Sequence, residues 1–259
     1  MCSIVILSRP GHAWPLIVAS NRDEMAGRPC APPGRHWPDR AEVVAGLDRL
    51  AGGSWLGLND HGVMTAILNR VDSLGPLPTK RSRGELVLEA LDHADAGAAV
   101  AGLRELEPSA YRSFNMVVAD NRDAFWLRSL GLAQGWIEAW PLEPGLGMIT
   151  AHDRNDRQTS RRIDAFLPRF EAAAAPRPEA GLDGWREWIA LLAERTVAPG
   201  GTLYDAMNIV GTGGFGTVSS SLIALPAPGA GAKPVWLFAA GRPDEAPYRA
   251  VPLAPTGAR

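Results

Sequence analysis

Apolar and polar positions alternate at the start of the chain in the manner of paired strands. Cys2 to Ser8 and Leu16 to Ser20 are apolar, β-branched runs separated by Arg9-Pro10-Gly11-His12-Ala13-Trp14, and the Pro-Gly step makes them a hairpin. The stretch from Arg28 to Asp39 is rich in Pro, Arg and Gly and reads as a loop of the kind that walls a site. Val43 to Gly46, Ser54 to Leu58 and Val63 to Leu68 resume the strand pattern. Asn59-Asp60-His61-Gly62 joins the last two with residues that tolerate positive φ.

At Ser82 the period becomes helical. Leu86, Leu88, Leu91 and Ala94 are apolar, and Ser82-x-x-Glu85 has the form of a capping box, which predicts a helix of about fourteen residues and then an Ala-rich one reaching Leu106. Phe114 to Ala119 and Ala124 to Leu127 make a further hairpin, with strands predicted at Gly135 to Trp140 and Leu146 to Thr150. Helices at Ser160 to Phe170 and Trp185 to Arg195 flank an Ala/Pro/Gly connector. Strands at Thr217 to Leu225 and Pro234 to Ala240 complete the set. Strands and helices come in blocks, so the expectation is an α+β fold of two antiparallel sheets with helices outside them. With 259 residues and no internal repeat or long linker, one domain over residues 1–259 is expected. The glycines from Gly211 to Gly216 precede a strand, whereas a dinucleotide loop opens a helix.

Composition narrows the function. The net charge is −2 from interspersed residues, and without a basic stripe nucleic acid is excluded as an expected partner. No leader and no apolar run of about 18 residues is found, so a soluble protein with no membrane span is expected. Cys2 and Cys30 are the only cysteines, too few for a disulfide scaffold and in keeping with a reducing cytoplasm. The five histidines, His12, His36, His61, His93 and His152, lack metal-ligand spacing. Neither a metal nor a required cofactor is expected.

The candidate chemistry starts at Cys2. A small residue after the initiator Met permits removal of Met1, and the mature chain would then begin with a thiol and an α-amine on one residue, a nucleophile with its own base. Antiparallel pairing in the first hairpin brings Asn21-Arg22-Asp23-Glu24 to the same end as Cys2. Arg22 is suited to lower the thiol pKa by its charge, and Asp23 to accept from the α-ammonium.

These residues carry a resemblance. Met1-Cys2 opening a strand, Ala19-Ser20-Asn21-Arg22-Asp23-Glu24, Arg28-Pro29, Gly52-Gly53-Ser54-Trp55-Leu56-Gly57, Leu68-Asn69 and Ser82-Arg83-Gly84-Glu85-Leu86 closely resemble the NRDE family, also called transport and Golgi organisation protein 2. That family is similar in layout to N-terminal nucleophile hydrolases of the bile-salt hydrolase and penicillin V acylase branch. The resemblance implies a four-layer αββα sandwich with Cys2 as nucleophile, Arg22 and Asp23 as the pair that holds its amine and thiol, and Asn69 as an oxyanion donor. Asn21, Glu24 and His152 are expected to contact substrate. The chain departs from the pattern twice: Ala151-His152 stands where the hydrolases place an asparagine, and Val218 where the family commonly has Arg.

Two functions follow from different classes. One is an N-terminal cysteine amidohydrolase acting on a small amide or acyl-amino compound through a thioester. The other is a non-catalytic carrier of haem or of a lipid or acyl ligand on the same fold, which the resemblance implies and the residues themselves do not spell out; a third, blander possibility is a degenerate hydrolase scaffold serving only as an interaction module. The first two take a small-molecule ligand.

Overall fold

The computed structural model describes residues 2–197 and 199–254. In chain order the strands and helices are β1 (Ser3–Ser8), β2 (Leu16–Met25), β3 (Cys30–Gly34), β4 (Val43–Asp48), β5 (Leu56–Asn59), β6 (Met64–Asn69), α1 (Gly84–Leu91), α2 (Ala96–Arg104), β7 (Phe114–Ala119), β8 (Ala124–Ser129), β9 (Glu138–Pro141), β10 (Gly145–Ile149), α3 (Arg161–Ala172), α4 (Arg186–Leu192), β11 (Phe215–Leu225), β12 (Val235–Ala239) and β13 (Tyr248–Ala250). They form two antiparallel sheets with four helices among the described residues, so the fold class is α+β. The chain divides into two compact units, one built from its start through Arg28 and from Pro144–Ala250, the other from Pro29–Glu143 and the segment from Val251.

The first unit holds the sheet β10-β1-β2-β11-β12-β13. Its central strand β2 pairs with β1 from Ser8↔Leu16 to Ser3↔Asn21 and with β11 from Leu16↔Leu225 to Met25↔Phe215. That second pairing is why β2 runs on through Asn21-Arg22-Asp23-Glu24, beyond the end at Ser20 that alternation predicts: β11 supplies main-chain partners for the polar half of the strand. Val5, Ile17, Ala19, Leu222 and Ala224 pack with Ile163, Phe166 and Phe170 of α3 and with Trp188 and Leu192 of α4. Each Val, Leu, Ile or Phe side chain among these contributes roughly 1.5–3 kcal/mol on removal from water. Ser160 begins α3 as predicted, its hydroxyl accepting from the Ile163 N–H.

The second unit holds the sheet β3-β4-β5-β6-β7-β8-β9, with α1 and α2 packed through Leu86, Val87, Leu91, Val100 and Leu103 onto Val43, Phe114, Met116 and Val118. β3 lies where a loop is predicted. It is an edge strand whose Pro32 and Pro33 coincide with a register shift between Ala31 and Gly34, a position where the missing N–H groups cost no ladder bond.

The helix predicted from Ser82 is shorter, ending at Leu91, and α2 restarts on Asp95, whose carboxylate accepts from the Ala98 N–H at 2.8 Å. The capping box does not form. Arg83 holds the N-cap position without a side-chain bond, and Glu85 pairs instead with Arg81 at 2.6 Å. What seats α1 is a backbone contact: the Ser54 N–H donates to Gly84 O at 2.9 Å, and a Cβ on Gly53 would stand 2.4 Å from the Gly84 carbonyl carbon. The Asn59 turn has its predicted form, with Gly62 at φ 92° and Asn59 Oδ1 accepting from the His61 and Val63 N–H groups. Among the described residues no helix is long and apolar enough to cross a membrane.

Candidate active site

Cys2 stands immediately before β1, whose pairing begins at Ser3↔Asn21, so the register sets it beside Arg22 of β2. Its sulfur meets the main chain of the next residue along. The Asp23 N–H donates to Cys2 Sγ at 3.4 Å, and the thiol donates to Asp23 O at 3.6 Å. Met1 lies outside the described residues, and with it the state of the α-amine.

Burial pushes the Cys2 thiol up from its ordinary range; the Asp23 carboxylate adds to the rise, while the Asp23 N–H and the Arg22 charge pull the other way. The net direction is upward. Arg22 acts in the sense read from sequence, but its charge does not offset lost hydration together with a nearby anion. The thiol is therefore protonated at neutral pH, and its use as a nucleophile requires a base that acts during attack.

Strand alternation turns the Asp23 carboxylate toward the helices. There Thr217 Oγ1 donates to Oδ1 at 2.7 Å and Arg162 Nη1 donates to Oδ2 at 3.1 Å. The Asp23 side chain is 0% exposed and that of Arg162 4%, so this is a fully buried ion pair. Arg162 also donates to Ser3 Oγ at 2.5 Å and to Tyr204 O at 2.6 Å. A register shift between Thr217 and Ser219 sets Thr217 opposite Asp23 and Ser219 opposite Arg22, so Val218 occupies the bulge that aims the Thr217 hydroxyl.

The remaining residues of the Asn-Arg-Asp-Glu run have separate tasks. Asn21 is 0% exposed, and its amide donates to Leu192 O and Met207 O, both at 2.9 Å, tying β2 to the end of α4. Glu24 lies 3.8 Å from Arg22 and 3.7 Å from Arg28, and its Oε1 accepts from the Met25 N–H. His152 is half-buried in the loop after β10, its Nδ1 at 3.0 Å from Thr159 Oγ1. Asn155 closes that loop by exchanging hydrogen bonds with Met148. Extending the β1–β10 register beyond Ile4↔Ile149 sets the buried Ala151 across from Cys2, so this position offers a methyl group and no amide. Asn69 closes β6 in the second unit, half-buried, in register with Phe114. Among the described residues no group of three or more His, Cys, Asp and Glu side chains is arranged to hold a metal ion.

Arg162, Thr217 and Ser3 are absent from the sequence reading of the site. Arg162 did carry a signal: it precedes Ile163 and lies four residues before Phe166, so a cation stands on the apolar stripe of a helix. Nothing local assigns Thr217 or Ser3 its partner, because their role depends on strands paired across the length of the chain.

In fold the chain is similar to an N-acylethanolamine-hydrolyzing acid amidase ortholog from Caenorhabditis elegans, with a TM-score of 0.55 at 14% identity over 97% of this chain and 100% of that one. It is similar also to penicillin V acylase from Agrobacterium tumefaciens, at 0.52 and 14% over 93% and 83% of the two chains, and to a variant of conjugated bile acid hydrolase from Clostridium perfringens, at 0.51 and 9% over 98% of each. The fold is that of the N-terminal nucleophile hydrolases.

The chain belongs to the Transport and Golgi organisation 2 family, whose model matches residues 1–156. It is 34% identical over 112 residues to the mouse homolog and 35% identical over 114 residues to the bovine one. These segments cover 42% of this chain and 40% of each relative, so the match spans about two fifths of the relatives' length.

Proposed function

We propose that this protein is an N-terminal cysteine amidohydrolase that cleaves a small amide or acyl-amino compound with Cys2 as nucleophile. The observation that carries the reading is the Cys2 sulfur held by the main chain of Asp23 at the end of the β1–β2 hairpin, in a fold shared with amide-cleaving enzymes.

After removal of Met1, the thiol proton passes to the Cys2 α-amine as sulfur attacks the amide carbonyl. The tetrahedral intermediate collapses to a thioester as the leaving amine takes the proton from the α-ammonium. Water, deprotonated by the same amine, then attacks the thioester, releasing the acid and restoring the thiol. Cys2 and Cys30 are both outside any disulfide, and a reducing cytoplasmic setting forms part of the reading.

The test uses protein expressed without an N-terminal tag. Intact mass establishes whether Met1 is removed, and a panel of acyl amides with fluorogenic amine leaving groups is then assayed with the native protein and Cys2→Ala. Loss of Met1, turnover abolished in Cys2→Ala and a trapped acyl mass on Cys2 are the expected results. Retained Met1, or turnover unaffected by Cys2→Ala, overturns the proposal.

A further inference from the structure

A buried charge pair stands directly behind the thiol. Both residues of the Asp23–Arg162 pair are removed from solvent, and the Arg162 guanidinium reaches Ser3 Oγ, Asp23 Oδ2 and Tyr204 O. Packing alone does not call for a cation there. Its helical neighbours Ile163, Phe166, Leu167 and Phe170 are apolar, and replacing a buried ion pair by apolar side chains is often neutral or stabilising. What sets Arg162 apart is where its contacts converge. Ser3 is the residue after Cys2, and Asp23 is the residue whose N–H and C=O hold the sulfur.

We propose that Arg162 is a positioning residue for Cys2, clamping Ser3 and the Asp23 carboxylate from the first turn of α3 so that the Asp23 main chain is presented to the thiol in one fixed geometry. The clamp crosses 159 residues of sequence to Ser3 and 139 to Asp23, so it closes only once α3 has packed on the sheet. Thr217 completes it by binding the other carboxylate oxygen and, through the same hydroxyl, the Ile209 N–H at 2.8 Å. Arg162 never touches the sulfur; it acts through Asp23.

The pairing has an electrostatic consequence. The Asp23 carboxylate disfavours the thiolate of Cys2, and a guanidinium bound to that carboxylate neutralises much of its field. Without Arg162 the carboxylate loses the guanidinium charge and the tie to α3, keeping the Thr217 hydroxyl. Arg22, whose charge also acts on the thiol, belongs to the same strand as Asp23 and is untouched by changes in α3.

This inference rests on Cys2 being the reacting group of the proposed amidase, but its test needs no substrate. The rate of Cys2 alkylation by iodoacetamide is followed against pH by peptide mass mapping on the untagged protein, with Cys30 as reagent control, for wild type, Arg162→Met and Arg162→Lys. Near-UV circular dichroism confirms that each variant is folded. A thiol pKa higher by one unit gives about ten-fold less thiolate near neutral pH, so about ten-fold slower alkylation is expected in Arg162→Met and about three-fold slower in Arg162→Lys, which keeps the charge and loses the fork. The Cys30 rate stays constant throughout. A folded Arg162→Met with the wild-type profile at Cys2 overturns the proposal. Should Arg162→Met fail to fold, Arg162→Lys decides: slowing supports the clamp and an unchanged profile overturns it. Because alkylation is read whether or not any amide is turned over, failure of the amidase reading leaves this result standing.

Discussion

The sulfur of Cys2 accepts a hydrogen bond from the main-chain N–H of Asp23 at 3.4 Å, while the carboxylate of the same Asp23 turns to the helix side of the sheet and binds Arg162. One residue thus presents its backbone to the nucleophile and its charge to the scaffold. The thiol is held in place without being ionised.

Its reactivity with pH follows from that division. Burial and the Asp23 charge raise the thiol pKa, so the pH at which Cys2 reaches half its maximal rate of alkylation lies above the value of about 8.5 expected for an unhindered thiol. The same shift carries a sign for stability. The unfolded chain loses the thiol proton first, so the folded state loses stability as pH rises past about 8.5. Iodoacetamide kinetics read at Cys2 by mass mapping check the first statement; a half-point at or below the free-thiol value refutes it.

Asp23 and Arg162 are strongly coupled in stability. Removing one partner leaves the other buried and charged, so Asp23→Asn and Arg162→Met are each expected to cost about 3–5 kcal/mol. The double variant is expected to cost much less than their sum. Urea denaturation of the four proteins gives the coupling energy, and additivity within about 0.5 kcal/mol contradicts a paired site.

Gly53 and Gly46 separate two kinds of crowding. A Cβ at Gly53 meets the Gly84 main chain at 2.4 Å, whereas one at Gly46 meets the Trp55 indole at 2.3 Å. Backbone cannot swing aside as a ring can. Gly53→Ala is expected to lose about 2–3 kcal/mol and Gly46→Ala less, as read from their urea midpoints.

Tyr248 couples stability to alkaline pH. Burial raises its hydroxyl well above the usual tyrosine range, with its bond to Ser220 Oγ at 2.7 Å opposing the rise in part. The unfolded tyrosine ionises near pH 10 while the folded one keeps its proton, so stability declines above that pH by up to about 1.4 kcal/mol per unit. Tyr248→Phe is expected to be about 1 kcal/mol less stable at pH 7 and to show a shallower decline between pH 10 and 11 in thermal melts.

Local pattern reached much of the fold. The β1–β2 hairpin, the Asn59 turn and α3 each announce themselves within a few residues, because alternation, turn chemistry and an N-cap serine act at short range. The misreadings share a cause of the opposite kind. β3 is a strand because β4 lies beside it, and Ser82-x-x-Glu85 fails as a cap because Arg81 takes the glutamate. The polar half of β2 stays extended only because β11 pairs with it, a partnership no local window contains.

The sequence by itself determined that a thiol would open a strand, that a hairpin would return Arg22 beside it, and that the chain would build antiparallel sheets. These follow from a short loop and a period of two, which register alone converts into proximity. Only the tertiary structure decided what Asp23 does. Its carboxylate is claimed by Thr217, 194 residues away, and by Arg162, and the loss of hydration that keeps Cys2 protonated is set by what surrounds the thiol. Proximity along a hairpin is a local property; burial, and the charge partners it makes necessary, belong to the packed fold as a whole.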